Sequence, residues 1–279
     1  MLRRRVARLS RRAVELRRAA RDGSAPDRSN APSVRARRFA PHRHSACPPS
    51  HRLDGAAYID VVTTARFRLV LASASPARLN TLQHAGVEPT VVVSDVDEDA
   101  AVAEALERYG PLEPAQVALV LARAKAEAVA FGERVGDLVL GCDSVLEFDG
   151  QMHGKPADAD EARARWRRMR GRHGVLHTGH WLVDQRPVER GGSQATLGAT
   201  ASTKVYFAKL TDEEIDAYVA TGEPLRVAGA FTIDGLGGPF VTGLEGDHHN
   251  VVGISLPLLR ELLIDIGVNW FDVVTVHQR

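Results

Sequence analysis

The chain has 279 residues, 44% of them hydrophobic and 25% charged, and no apolar run approaches the ~20 residues a membrane-spanning helix needs, so the composition is that of a soluble globular protein with no membrane partner. Two cysteines, Cys47 and Cys142, argue against a disulfide framework and for a reducing, cytoplasmic setting. The net charge of +1 conceals an asymmetry: residues 1–66 carry 16 Arg, no Lys and 5 acids, whereas residues 67–279 carry 20 Lys plus Arg against 30 acids.

The first 66 residues are rich in Arg, Pro, Ser and His. Residues 2–21 have the pattern of a basic helix, and the rest has too little apolar content to fold. Such an extension is either a nucleic-acid or membrane-surface tail, an Arg-rich targeting peptide, or a disordered segment without a role. The folded domain is expected over 67–279, and its acidic balance speaks against a nucleic-acid surface there.

From Phe67 to Ala72 the residues form a short apolar strand. Ser75 is a good helix N-cap, Pro76 suits the first helical position, and Gly86 ends the helix. A second strand covers Thr90–Val93, and the acidic run SDVDEDA after it is expected as a loop. A long helix is predicted from Pro114 to Phe131. Leu138–Phe148 is a strand, and Asp149-Gly150 is a hairpin turn signal. A helix follows over Asp160–Arg170. Strands are expected near 175–183 and 200–208, with RGGSQATLGAT as the loop between them. Thr211 and Glu214 form a capping box for a helix ending at Gly222. Gly-rich turns then lead to a last helix, Leu256–Ile266. Alternating strands and helices with hairpins among them predict an α/β fold with a mixed sheet.

Several constellations could carry chemistry. SASPAR, 73–78, sets two hydroxyls and a guanidinium at a helix start, where free N–H groups and the macrodipole attract anions; the same residues also make an ordinary helix start. The carboxylates of Asp95, Asp97, Glu98 and Asp99 could hold Mg²⁺ with substrate phosphates completing its shell, or line a solvated loop. Lys125 falls at the border of its helix's apolar stripe, placed either to snorkel or to point into a cleft. Asp143 stands inside an apolar strand, where a carboxylate is costly without a partner or metal. Twelve residues on, across the hairpin, Lys155 can return toward it. Glycines in AGAFTIDGLGG, 228–238, permit close approach to a ligand, and Asp234 there either reads a ligand or makes a turn.

Taken together, LASASPARLNTL, the acidic run, ARAKAEAVA, VLGCDSVLEFDGQMHGKP, TGEP, AGAFTIDGLGG and NVVGISLPLL resemble the Maf family of nucleoside triphosphate pyrophosphatases, over about residues 67–266. The resemblance implies a two-lobed α/β fold like that of the inosine triphosphate pyrophosphatases, with the nucleotide in the cleft between lobes. It implies a divalent metal, Mg²⁺ or Mn²⁺, hydrolysis of a nucleoside triphosphate between its α and β phosphates, and a role in clearing unwanted nucleotides; a homodimer is a separate expectation. By motif, Ser73 and Arg78 would contact the triphosphate, and Lys125 and Lys155 would bind phosphate. Glu98 would be a metal ligand. Asp143 would be the proton acceptor, with a share in the metal. Ser144 and Asp234 fall where the family reads base or sugar. Ala77 replaces a usual arginine, so one charge on the phosphates is missing, or Arg66 or Arg68 supplies it. Ser144 and Asp234 depart from the Thr and Gln of the dTTP- and UTP-preferring subgroup. The implied alternatives are a 7-methyl-GTP pyrophosphatase and a nucleotide-binding regulator of septum formation with little turnover; a nucleic-acid-binding protein acting through 1–66 is a further reading.

Overall fold

A computed structural model describes residues 62–132 and 136–277, all within the unit Ala57–Arg279. The Arg-rich segment 1–61 and its expected basic helix lie outside the described residues.

The elements in chain order are β1 (Val62–Thr63), β2 (Leu69–Ala72), α1 (Pro76–His84), β3 (Thr90–Val91), α2 (Glu98–Tyr109), α3 (Pro114–Ala130), β4 (Leu138–Phe148) and β5 (Gln151–His153). They continue with α4 (Ala159–Met169), β6 (His173–Asp184), β7 (Thr196–Phe207), α5 (Asp212–Ala220), β8 (Val241–Glu245), α6 (His248–Val252), α7 (Leu256–Asp265) and β9 (Val276–His277). One sheet has the order β3-β2-β4-β6-β7-β8, with β5 hydrogen-bonded to β4. β2 runs parallel to β3 and β4, and all other neighbours are antiparallel. β1 and β9 form a separate antiparallel pair, so an ordered strand begins a few residues before Arg66.

β2 shows why the mixed α/β expectation holds. All four of its residues are buried, as in a strand covered on both faces. Leu69 and Leu71 join a cluster with Leu82, Leu138, Leu140, Leu259 and Leu263, on the side of α1 and α7. Val70 and Ala72 face the other way, against Ala126, Val129 and Ala130 of α3. A third cluster gathers Leu146, Phe148, Trp166, Phe207 and Tyr218 around the far halves of β4 and β7. Asp149 and Gly150, both at positive φ (54° and 70°), make the predicted hairpin between β4 and β5.

α3 lies unusually close to the sheet. A Cβ on Gly141 would fall 2.2 Å from the Ala122 carbonyl oxygen, and one on Gly179 would fall 2.3 Å from that of Ala118. Glycines on the strands and alanines on the helix therefore set the approach of α3, and with it the place of its polar side chains.

Some expectations are corrected. The acidic run is not a loop throughout: Asp97 N-caps α2, accepting from Ala100 N at 2.9 Å, and Glu98 is the first residue of that helix. Acids suit a helix N-terminus electrostatically, so the charge run was itself a start signal. The Gly/Ser loop after β6 is shorter than predicted, because β7 begins at Thr196. Its register with β6 runs unbroken from Val183↔Thr196 to His173↔Tyr206, so Leu197 and Ala199 pack on the core while Gly198 meets Trp181. β8 and α6 stand in the last third, where the sequence showed only Gly-rich turns and short apolar pieces.

Candidate functional site

β4 is 11 residues long and changes partner along one edge. Leu138–Gly141 pair with β2, and Leu146–Phe148 pair with β5. Cys142–Val145 lie between those ladders, beside the C-terminal end of β2 and the start of α1. Asp143 and Ser144 sit in this gap and, as neighbours on a strand, point to opposite faces.

On one side, Ser144 joins the anion-type constellation. Arg78 of α1 is buried, with 9% of its surface exposed. Its Nε donates to Gly253 O (2.9 Å), Nη1 to Ser73 Oγ (3.0 Å) and Nη2 to Ser144 Oγ (3.1 Å). Thr178 lies opposite Ser144 and within 2.9 Å of its hydroxyl. Three of the five guanidinium N–H groups are thus engaged, and one on each terminal nitrogen is left. No carboxylate lies within ion-pair distance of Arg78 among the described residues. An unpaired guanidinium is expensive to bury and is well disposed toward an anion. Ser75 caps α1 beside it, accepting from Arg78 N, and Pro76 occupies the first turn.

On the α3 face, Asp143 Oδ1 accepts from Lys125 Nζ at 2.5 Å, and Glu98 Oε1 lies 2.7 Å from the same nitrogen. Lys125 reaches over from α3 because Ala122 and Ala126 seat the helix on Gly141, two residues before Asp143. Burial pushes the Asp143 carboxyl pKa up, against the opposing charges of Lys125 and Arg78. The adjacent Cys142 thiol is wholly buried and pushed up to about 12, which leaves it a packing residue.

The structure thus brings together Ser73, Arg78 and Ser144, and separately Lys125, Asp143 and Glu98, with Asp143 and Ser144 joining the two groups. Asp97 is spent on its cap, and Asp95 lines a hollow with Val92, Val129 and Gly132. Lys155 is exposed and has no ion-pair partner among the described residues. The pairing of β5 with β4 ends at Leu146↔His153, and Lys155 follows two residues beyond the end of that strand, in the turn after it. That turn is held at Gly154 O by Arg165 Nη1 (2.6 Å) and Gly229 N (3.1 Å). Asp234 is also exposed, and among the described residues it makes no hydrogen bond or ion pair with the other predicted residues. Arg66 and Arg68 are at the N-terminal end of β2, the end opposite Ser73. Arg66 pairs there with Asp272 at 3.8 Å, so neither arginine supplies the charge missing at Ala77.

Some residues that organise the site carried no sequence signal of that role. Gly253 supplies a carbonyl to Arg78 from the far end of the chain. Its turn is fixed by His180, whose Nε2 accepts from Ser255 N (2.8 Å) while Nδ1 faces Thr178 O (3.0 Å). Glu223 anchors the loop that carries Asp234, accepting from Tyr218 OH, Thr232 Oγ1, Leu236 N and Gly237 N at 2.6–3.0 Å.

A divalent cation would have two carboxylates here. Glu98 and Asp143 both touch Lys125 Nζ, which holds their oxygens within about 5 Å of each other. No group of three metal-ligating side chains occurs among the described residues. Two carboxylates with phosphate oxygens completing the shell is a donor set that suits Mg²⁺, which seldom sits in an all-protein cage. No helix among the described residues is long and apolar enough to cross a membrane.

Comparison with known proteins gives the context for this geometry. The profile of a family described as Maf-like protein matches residues 68–266. A protein of Leifsonia xyli subsp. xyli named nucleoside triphosphate pyrophosphatase is 54% identical over 209 residues, covering 74% of this chain and 96% of that protein. One of the same name from Streptomyces avermitilis is 56% identical over 77% of this chain and 98% of its own length. A third, from Trichormus variabilis, is 48% identical over 74% of this chain and 96% of its own.

Proposed function

The chain belongs to the Maf family, and on that premise we propose that it hydrolyses nucleoside triphosphates to the monophosphate and diphosphate. The observation that carries this reading is Arg78: a buried guanidinium with no carboxylate partner and two N–H groups unused among the described residues, at a helix start and one residue's breadth from the Asp143–Lys125–Glu98 cluster.

Phosphoryl chemistry is mostly positioning and charge neutralisation. In this reading the free N–H groups of Arg78 and the first turn of α1 hold phosphate oxygens. Ser73 and Ser144 fix the guanidinium plane. Lys155, in the turn just after β5, closes on the phosphates from the other side. Lys125 exchanges its carboxylate partners for phosphate as the substrate enters. Asp143 takes a proton from the attacking water; its burial raises its basicity, and such a base contributes typically ~10²–10⁴-fold. The water oxygen bonds to the α-phosphorus, the α–β bridging bond breaks, and diphosphate leaves. Glu98 and Asp143 would hold the divalent cation, whose chemistry is to offset charge on the phosphates.

The test is Asp143→Asn. The expected result is turnover lowered at least a hundredfold with nucleotide binding still measurable by calorimetry. Near-normal turnover would remove Asp143 from the role. Hydrolysis in ¹⁸O-water places the bond cleaved: label in the monophosphate supports attack at the α-phosphorus, and label in the diphosphate opposes it.

A further inference from the structure

A second polar constellation stands on the same sheet face as Asp143, one row further along. His177 of β6 is directly opposite Val145 of β4 and Ser202 of β7. Its Nε2 lies 3.1 Å from Glu147 Oε2, and its Nδ1 lies 2.8 Å from Ser202 Oγ. Asp143, Val145 and Glu147 follow one another at period two, so they share a face. His177 is diagonal to Asp143 across the β4–β6 pair, a separation of about 7–8 Å.

α3 stops short of this row, in which Val145 and His177 are buried and Ser202 is exposed. It covers Gly141 with Ala122, Gly179 with Ala118, and takes a hydrogen bond from Thr200 Oγ1 at Ala115 O (2.9 Å). The row after Gly179 and Thr200 is His177 and Ser202, and there Ser202 is exposed. Lys125 leaves the flank of α3 that looks toward this row in order to reach Asp143. The cluster is therefore beside the reaction centre, in a direction that neither α1 nor Arg78 occupies.

Its hydrogen-bond polarity follows from donor chemistry. A carboxylate only accepts, so Glu147 requires a proton on His177 Nε2. In the neutral ring Nδ1 is then an acceptor, and it takes the hydroxyl proton of Ser202. With its own proton so engaged, Ser202 Oγ offers only lone pairs to the open side. The order Ser–His–carboxylate also serves nucleophilic catalysis, but that chemistry needs paired N–H donors aimed at a developing oxyanion. Ser202 is the seventh residue of a twelve-residue strand, not at a turn or helix start that presents such donors.

We propose that Ser202, oriented by His177 and Glu147, is a nucleoside-reading residue that accepts a hydrogen bond from a donor group of the substrate, a sugar hydroxyl or a base N–H. The proposal rests on the triphosphate reading above. The phosphates lie at Arg78 and Lys125, and the nucleoside extends from Asp143 toward the exposed Ser202. Ser144 and Asp234 are not needed for this contact.

The test compares the wild type with Ser202→Ala, an exposed and conservative change, and His177→Gln, using two probes. One is the KM for a nucleoside triphosphate. The other is the inhibition constant of inorganic tripolyphosphate, which has phosphates and no nucleoside. The expected result is a rise of roughly threefold to tenfold in nucleotide KM, the worth of one hydrogen bond, with the tripolyphosphate constant at its wild-type value. A 3′-deoxy nucleotide and an N3-methyl uridine nucleotide then identify the donor: the one insensitive to Ser202→Ala is the one that lacks it. An unchanged KM, or a parallel change in both constants, overturns the proposal. A wild type that turns over no triphosphate yet binds tripolyphosphate instead refutes the function on which it rests.

Discussion

Replacing Arg78 by Met separates a binding arginine from a structural one, and the structure fixes what each account predicts. The substitution removes three hydrogen bonds but strands little. Ser144 Oγ keeps Thr178 Oγ1 at 2.9 Å, and Ser73 Oγ keeps Ser75 N at 3.3 Å. Only Gly253 O loses a partner, a cost of about 1–3 kcal/mol. Against that stands the relief of a buried guanidinium with no carboxylate paired to it among the described residues, whose desolvation costs several kcal/mol. The two effects offset, so unfolding in urea should change by no more than about 1–2 kcal/mol, in either direction. Phosphate binding has no such compensation. Loss of the charged fork should cost about 3 kcal/mol, or roughly a hundredfold in tripolyphosphate affinity by calorimetry and in kcat/KM. A variant destabilised by more than about 3 kcal/mol with unchanged tripolyphosphate affinity would refute the reasoning and make Arg78 a packing residue.

Gly141→Ala should destabilise the protein by about 3 kcal/mol and lower turnover, because its Cβ would fall 2.2 Å from Ala122 O and force α3, with Lys125, off the sheet. Gly150→Ala is the control: it is strained by a φ of +70° but meets nothing within 4 Å, and should cost about 1 kcal/mol with turnover kept. His180 gives a pH dependence. Burial holds its pKa down at about 4, so between pH 4 and 6.5 the unfolded chain binds the extra proton. Stability should therefore be complete above pH 6.5 and fall by roughly 3 kcal/mol as the pH drops toward 4, read from urea midpoints. A flat profile over that range would mean that His180 is not buried in its neutral form.

The helix at Ser75-Pro76, the Asp149-Gly150 hairpin and the Thr211/Glu214 capping box were legible because each is a local device: a side chain bonded three residues on, or a turn requiring two positive φ values. α2 was not legible as a helix start, because acids at a cap and first turn have the same composition as acids in a solvated loop. β8 and α6 were not legible at all. They are short, flanked by glycine, and exist because β8 pairs with β7 and the buried Asn250 of α6 donates to Leu176 O and Thr203 Oγ1.

The same division runs through the site. Sequence alone determined which side chains had to be explained: a carboxylate in an apolar strand, a rare lysine at a stripe border, an arginine at a helix start. Burial costs follow from residue type and local pattern, so these stood out without coordinates. Which of them meet depends on how the elements stack. Lys125 reaches Asp143 because Gly141 and Gly179 let α3 down onto the sheet, and Arg78 is fixed by a carbonyl 175 residues away in sequence. Arg66 and Arg68 are excluded because β2 carries them to its other end. Long-range approach depends on which surfaces stack and how closely, and no run of neighbouring residues encodes it.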